Sequence, residues 1–106
     1  MGDATRILIL SGIDSSGGAG LDVDCEVVRA LGGDPIAIPT ARTVQSDAAV
    51  FSVSPVDGER FHSELRERMG QHRIGAIKIG LIPNLDILRV LQRELKAGPD
   101  SESTLS

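Results

Sequence analysis

The sequence predicts an α/β layered fold, a largely parallel sheet with flanking helices, and three observations predict it. Ile7-Leu8-Ile9-Leu10 is an unbroken aliphatic run of the kind buried on both faces of a parallel sheet. Extended and helical segments then alternate along most of the chain, the signature of strand-helix-strand units. A glycine-rich turn from Ser11 to Gly20 joins the first strand directly to the first helix, and open sheets of this class bind ligands outside the carboxyl ends of their strands.

Each element follows from local pattern. The first strand, Ile7 to Leu10, ends in Ser11-Gly12. From Leu21 to Leu31 the apolar spacing is helical, and Gly32-Gly33 ends the segment where glycine commonly closes helices. Pro35 to Pro39 reads as a short second strand. Ala49 to Ser54 alternates weakly and reads as a third strand closed by Pro55. Between Asp57 and Gln71, the residues Phe61, Leu65 and Met69 give an otherwise charged helix a narrow apolar stripe, which places it on the outside of the sheet. Ile74 to Ile79 is the fourth strand. Leu85 to Leu95 is a helix entered through Pro83-Asn84, with Ile87, Leu88, Leu91 and Leu95 on its inward face. Beyond Gly98-Pro99 the residues become small and polar, so 1–99 are expected to form one domain and 100–106 a disordered tail.

Composition narrows the function classes. A length of 106 residues bounds the chain to one core. Fifteen acidic against eleven basic residues give a net charge of −4, which argues against a protein held on nucleic acid by counterion release. Phe51 and Phe61 are the only aromatic residues, too few to form a base-stacking platform. No apolar run approaches the ~20 residues of a membrane span, and Met1 to Arg6 do not resemble a signal peptide, so a cytoplasmic location is expected. Cys25 alone forms neither an internal disulfide nor a thiolate zinc site and reads as a small buried hydrophobe. His62 and His72 lack metal-ligand spacing and read as solvated; no metal site is assigned.

The loop after the first strand is the candidate site. Gly12 and Gly17 have the separation of phosphate-loop glycines, but Gly18 stands where lysine should follow, and the dinucleotide glycine pattern is absent. The segment is therefore either a tight connection without a ligand or a place where a ligand reaches the backbone and the free amides of a helix start. On a helical projection Asp22, Glu26 and Arg29 share a polar face, whereas Asp24 aligns with Val27, Val28 and Leu31. Such an acid is either satisfied by the helix terminus or offered to a ligand, since a desolvated carboxylate requires a partner. Gln45 lies after the second strand; its amide suits paired recognition of a heteroaromatic ring, or it is a solvated loop residue. Lys78, within Ile77-Lys78-Ile79-Gly80, is either an edge or snorkelling lysine or a substrate contact.

Ser11-Gly12-Ile13-Asp14-Ser15-Ser16-Gly17-Gly18-Ala19-Gly20-Leu21, followed by Asp24, resembles the amino-terminal signature of the hydroxymethylpyrimidine and phosphomethylpyrimidine kinases of thiamine biosynthesis, in the ribokinase-like superfamily. Ala30-Leu31-Gly32-Gly33, Gln45 and Lys78-Ile79-Gly80-Leu81 fall at matching distances, and the resemblance runs from Arg6 to Pro99. It implies the amino-terminal half of a ribokinase-like fold, with Gly12, Asp24 and Gln45 lining an aminopyrimidine pocket. Leu81 takes the place where the family often has a methionine over the ring, and Gly17, Gly18 and Gly20 are candidate loop contacts. Ser15 replaces the usual proline, Asp22 the usual glutamine, and Ser46 a frequent asparagine.

The resemblance implies a phosphomethylpyrimidine kinase-like protein that supplies the hydroxymethylpyrimidine site for ATP-dependent phosphoryl transfer. ATP and Mg2+ are implied by the family but not expected to be fully bound by this chain alone. Family members are much longer and carry the anion hole, the catalytic residue and most of the ATP site in their carboxyl half, so no residue here is assigned to catalysis. The chain is expected to be inactive by itself, and either to pair with a complementing carboxyl-half chain or to self-associate. Alternatives are a non-catalytic pyrimidine-binding module that senses or sequesters precursors, and an inert gene remnant.

Overall fold

The computed structural model describes residues 4–45 and 51–97. Its elements are β1 (Arg6–Asp14), α1 (Leu21–Ala30), β2 (Asp34–Gln45), β3 (Phe51–Pro55), α2 (Gly58–Gln71), β4 (Ala76–Ile79) and α3 (Leu85–Ala97). The strands form one sheet in the order β3-β2-β1-β4. β1 is parallel to β2 and to β4, and β3 runs antiparallel to β2 at the edge. The α/β layered class with a mostly parallel sheet is therefore the observed one.

Strand pleating divides the core between the two faces of the sheet. Leu8 and Leu10 of β1, with Ile36 and Ile38 of β2, meet Phe61 and Leu65 of α2 and Ile87 and Leu91 of α3. Ile9 points the other way and packs on Leu21, Cys25 and Val28 of α1. Leu8, Ile9 and Leu10 are fully buried, as the continuous aliphatic run requires of a strand covered by helices on both sides.

Helix boundaries follow their caps. Asp57 accepts the Arg60 N–H at 3.0 Å to open α2, and the Asn84 side chain accepts the Ile87 N–H at 2.9 Å at the start of α3. At the end of α1, Gly32 takes a φ of +89° and the Gly33 N–H donates to Val28 O at 2.9 Å.

Several expectations are corrected. β1 continues to Asp14 and β2 to Gln45, so Gln45 is the last residue of a strand rather than a loop residue beyond it. The extensions exist because pairing persists past the helix-covered region: Gly12 faces Ala41, Asp14 faces Thr43, and β3 joins the far side of β2 from Ala41 to Gln45. The fourth strand begins at Ala76; Ile74 instead packs on the core from the loop before it. Val27 and Leu31 are 51% and 83% exposed, because the buried line of α1 is Leu21-Cys25-Val28 and the helix ends at Ala30. His62 is not free in solvent: its Nε2 lies 2.5 Å from Glu94 Oε1, joining α2 to α3. Ser46, Ala49, Val50 and the expected tail at 100–106 lie outside the described residues.

Register shifts between Ser11 and Gly12, where Thr40 is the extra residue of β2. This bulge re-aims Thr40, which is fully buried and donates its hydroxyl to Leu81 O at 2.7 Å. It thereby ties the segment after β4 to the middle of β2.

Candidate functional site

The carboxyl ends of β1, β2 and β4 and the start of α1 enclose a cleft of about 430 Å³. Gly12, Gly20, Asp24, Lys78 and Leu81, five of the residues singled out in the sequence, line it together with Ser11, Asp14, Ala19, Thr43 and Gly80. Gly17 and Gly18 stand in the exposed turn beyond it. Gln45 ends β2, paired with Phe51 and two positions after the cleft-lining Thr43.

Close backbone approach shapes the floor. A β-carbon on Gly12 would come 2.9 Å from Leu81 Cδ2 and 3.4 Å from Thr43 Cγ2, so a side chain there would displace the apolar wall. Gly20 bridges to Ile13 with a φ of +82°, and a β-carbon there would run into the Gly12 carbonyl oxygen. Both the left-handed backbone and the contact reserve the position for glycine.

Asp14 organises the loop. Ser16 donates its N–H to Asp14 Oδ1 at 2.9 Å and its hydroxyl to the same carboxylate at 2.8 and 2.9 Å. These bonds, the backbone one first, hold the Asp14 carboxyl below its ordinary value of 3.8. Sequence patterning gave Asp14 no role; the available signal was an Asx-type turn, Asp14-Ser15-Ser16, ahead of the glycines.

Asp24 is drawn to the cleft by its place in the first turn of α1, beside but not on the buried line, with its side chain 17% exposed. Its Oδ1 accepts from Lys78 Nζ. The next residue, Cys25, turns into the core, where burial pushes its thiol up from the ordinary 9.0.

A second cleft of about 410 Å³ lies between the β2–β3 ribbon and α2, lined by Arg42, Val56, Arg60, Phe61 and Glu64 among others. Size does not separate the two. The first is distinguished by an inward carboxylate, a glycine floor and the strand-end position at which open α/β sheets bind ligands.

Residues 14–103 match the family described as phosphomethylpyrimidine kinase. The chain belongs to this family. The hydroxymethylpyrimidine/phosphomethylpyrimidine kinase of Aquifex aeolicus is 32% identical over 90 residues, covering 85% of this chain and 35% of its own length. A probable thiamine biosynthetic bifunctional enzyme, chloroplastic, of Oryza sativa subsp. japonica is also 32% identical, over 94 residues, covering 89% of this chain and 17% of the rice protein. The chain thus spans well under half of these relatives. The crystal structure of the phosphomethylpyrimidine kinase from Clostridium difficile 630 superposes with a TM-score of 0.77 at 28% identity, over 87% of this chain and 40% of that one. Pyridoxal kinase from Staphylococcus aureus, in complex with pyridoxal, shares the fold with a TM-score of 0.82 at 23% identity, over 92% of this chain and 36% of that one. The ribokinase-like architecture expected from the resemblance is therefore the one present. Among the described residues no helix is long and apolar enough to cross a membrane.

Proposed function

We propose that the cleft is the aminopyrimidine site of a phosphomethylpyrimidine kinase, holding hydroxymethylpyrimidine or its phosphate ester for transfer of the ATP γ-phosphoryl group. The observation that carries this reading is the convergence of Gly12 from β1, Asp24 from α1 and Leu81 from the segment after β4 on one cleft. Gly12 gives the Leu81 side chain room to pack against the cleft floor. Leu81, anchored through its carbonyl by Thr40, offers the ring an apolar face. Asp24 accepts from an exocyclic amine, and Gln45 at the end of β2 supplies an amide with both donor and acceptor. Gly20 adds a loop contact from the cleft lining, whereas Gly17 and Gly18 stand in the exposed turn beyond it.

The donor set does not fit a triphosphate. The cleft holds the carboxylates of Asp14 and Asp24 against the ammonium of Lys78, which Asp24 already engages, so a polyphosphate would meet an excess of negative charge. Asp22 and Asp24 also occupy the first turn of α1, where an anion would otherwise be drawn by the helix dipole. ATP and Mg2+ enter through family membership and not through this cleft.

Calorimetric titration with hydroxymethylpyrimidine tests the assignment. Asp24→Ala is expected to weaken binding by about 1–3 kcal/mol through loss of a charge-assisted hydrogen bond, whereas Asp22→Ala, on the exposed face, should change it little. Equal losses from the two substitutions would overturn the assignment.

A further inference from the structure

The following rests on the aminopyrimidine reading of the cleft. We propose that Lys78 is a positioning residue that holds Asp24 by one oxygen and neutralises its charge, so that the cleft accepts the aminopyrimidine as a neutral base rather than as a cation. Three placements lead to this. Ile77 packs on the core formed with α2 and α3, so strand alternation turns Lys78 to the α1 face, where its ladder partner Ile9 also points. β4 is the edge of the described sheet and the Lys78 side chain is 51% exposed, so water is available to its ammonium. The ammonium nevertheless reaches across to Asp24 Oδ1.

The second carboxylate oxygen is placed differently. A β-carbon on Gly80 would lie 3.3 Å from Asp24 Oδ2, which puts that oxygen against the glycine that lines the cleft beside Ser11 and Leu81. One oxygen is thus committed to Lys78 and the other borders the cleft. The remaining charged groups near Asp24 do not duplicate Lys78. Asp14 on β1 has both oxygens engaged by Ser16, and Asp22 and Glu26 lie on the exposed side of α1. β2 contributes the neutral Thr43 to the cleft, and its Arg42 lines the second cleft instead.

An aminopyrimidine has two binding forms. The neutral ring offers an amino N–H donor and a ring-nitrogen acceptor; protonation converts the acceptor to a donor and adds positive charge. A largely desolvated lone carboxylate favours the cationic form, and a paired ammonium removes that preference. With Lys78 present, affinity should therefore be level at high pH and fall as the free ligand protonates. Without it, affinity should rise over the same range.

The test is calorimetric binding of hydroxymethylpyrimidine to the full chain between about pH 8 and about pH 5, with Lys78→Gln and Lys78→Arg alongside the unsubstituted protein. The affinity of Lys78→Gln relative to the unsubstituted chain is expected to rise about tenfold as pH falls across the window, equivalent to one unit in the ligand's protonation equilibrium. Lys78→Arg, which keeps the charge, should retain the original profile. A merely structural lysine would lower affinity by the same factor at every pH, so parallel profiles, or an arginine variant that behaves like the glutamine one, would overturn the role of Lys78 while leaving the aminopyrimidine site standing. Failure of the unsubstituted chain to bind at any pH would instead remove the aminopyrimidine reading, and this inference with it.

Discussion

Asp24 shows how a residue's position and its surroundings can be legible to different degrees. Its departure from the polar face formed by Asp22, Glu26 and Arg29 was readable from helical spacing, and the side chain does turn inward. Its neighbours were not, because the buried line of α1 is fixed by contact with Ile9 of a distant strand, and Val27 and Leu31 fall outside it. The partnership with Lys78 spans 54 positions and arises only when β4 pairs with β1. Asp14 went unread for a similar reason: a serine two residues on is an ordinary loop residue until the turn closes on the carboxylate. The lowered Asp14 ionisation has a defined pH consequence. Its folded-state value lies below 3.8, so its contribution to the turn is present above the ordinary carboxylate range and is lost as pH falls through the lowered value. The Ser16 amide resonance should accordingly stay fixed as pH is lowered to the ordinary range and move only below it; a midpoint at or above the ordinary value would contradict the bonding described.

At the scale of elements, the order of strands and helices was readable because each carries its own periodicity and caps, as Asp57, Asn84 and Gly32 illustrate. The lengths of β1 and β2 were not. Their outer halves mix polar residues with Ile13, Ala41 and Val44, and they remain strands through pairing with each other and, for β2, with β3. The bulge at Thr40 is invisible in composition for the same reason, yet it links two walls of the cleft through the bond to Leu81 O. Thr40→Val keeps the shape and removes the donor. It should lower stability by about 1–3 kcal/mol by leaving a carbonyl unsatisfied, and it should weaken hydroxymethylpyrimidine binding by freeing Leu81. Chemical denaturation and calorimetry measure the two effects, and an unchanged affinity would show that Leu81 does not depend on this anchor.

At the scale of the molecule, the sheet is covered by α1 on one face and by α2 and α3 on the other, while the outer edge of β4 stays open among the described residues. Ile79 on that strand is 46% exposed. Exposed edges pair with other chains, so a polypeptide of these 106 residues is expected to self-associate, with its net charge of −4 opposing this most at low salt. Sedimentation equilibrium that returns a constant monomer mass over a wide concentration range would show the edge to be protected. The claim on which the rest depends is that the strand-end cleft, and not the comparably sized cleft beside α2, receives the aminopyrimidine. Amide chemical-shift mapping during titration with hydroxymethylpyrimidine tests it most directly. Saturable shifts are expected at Ser11, Gly12, Gly20, Asp24, Thr43, Gly80 and Leu81; shifts centred on Arg42, Arg60 and Glu64, or none at all, would contradict binding in the strand-end cleft.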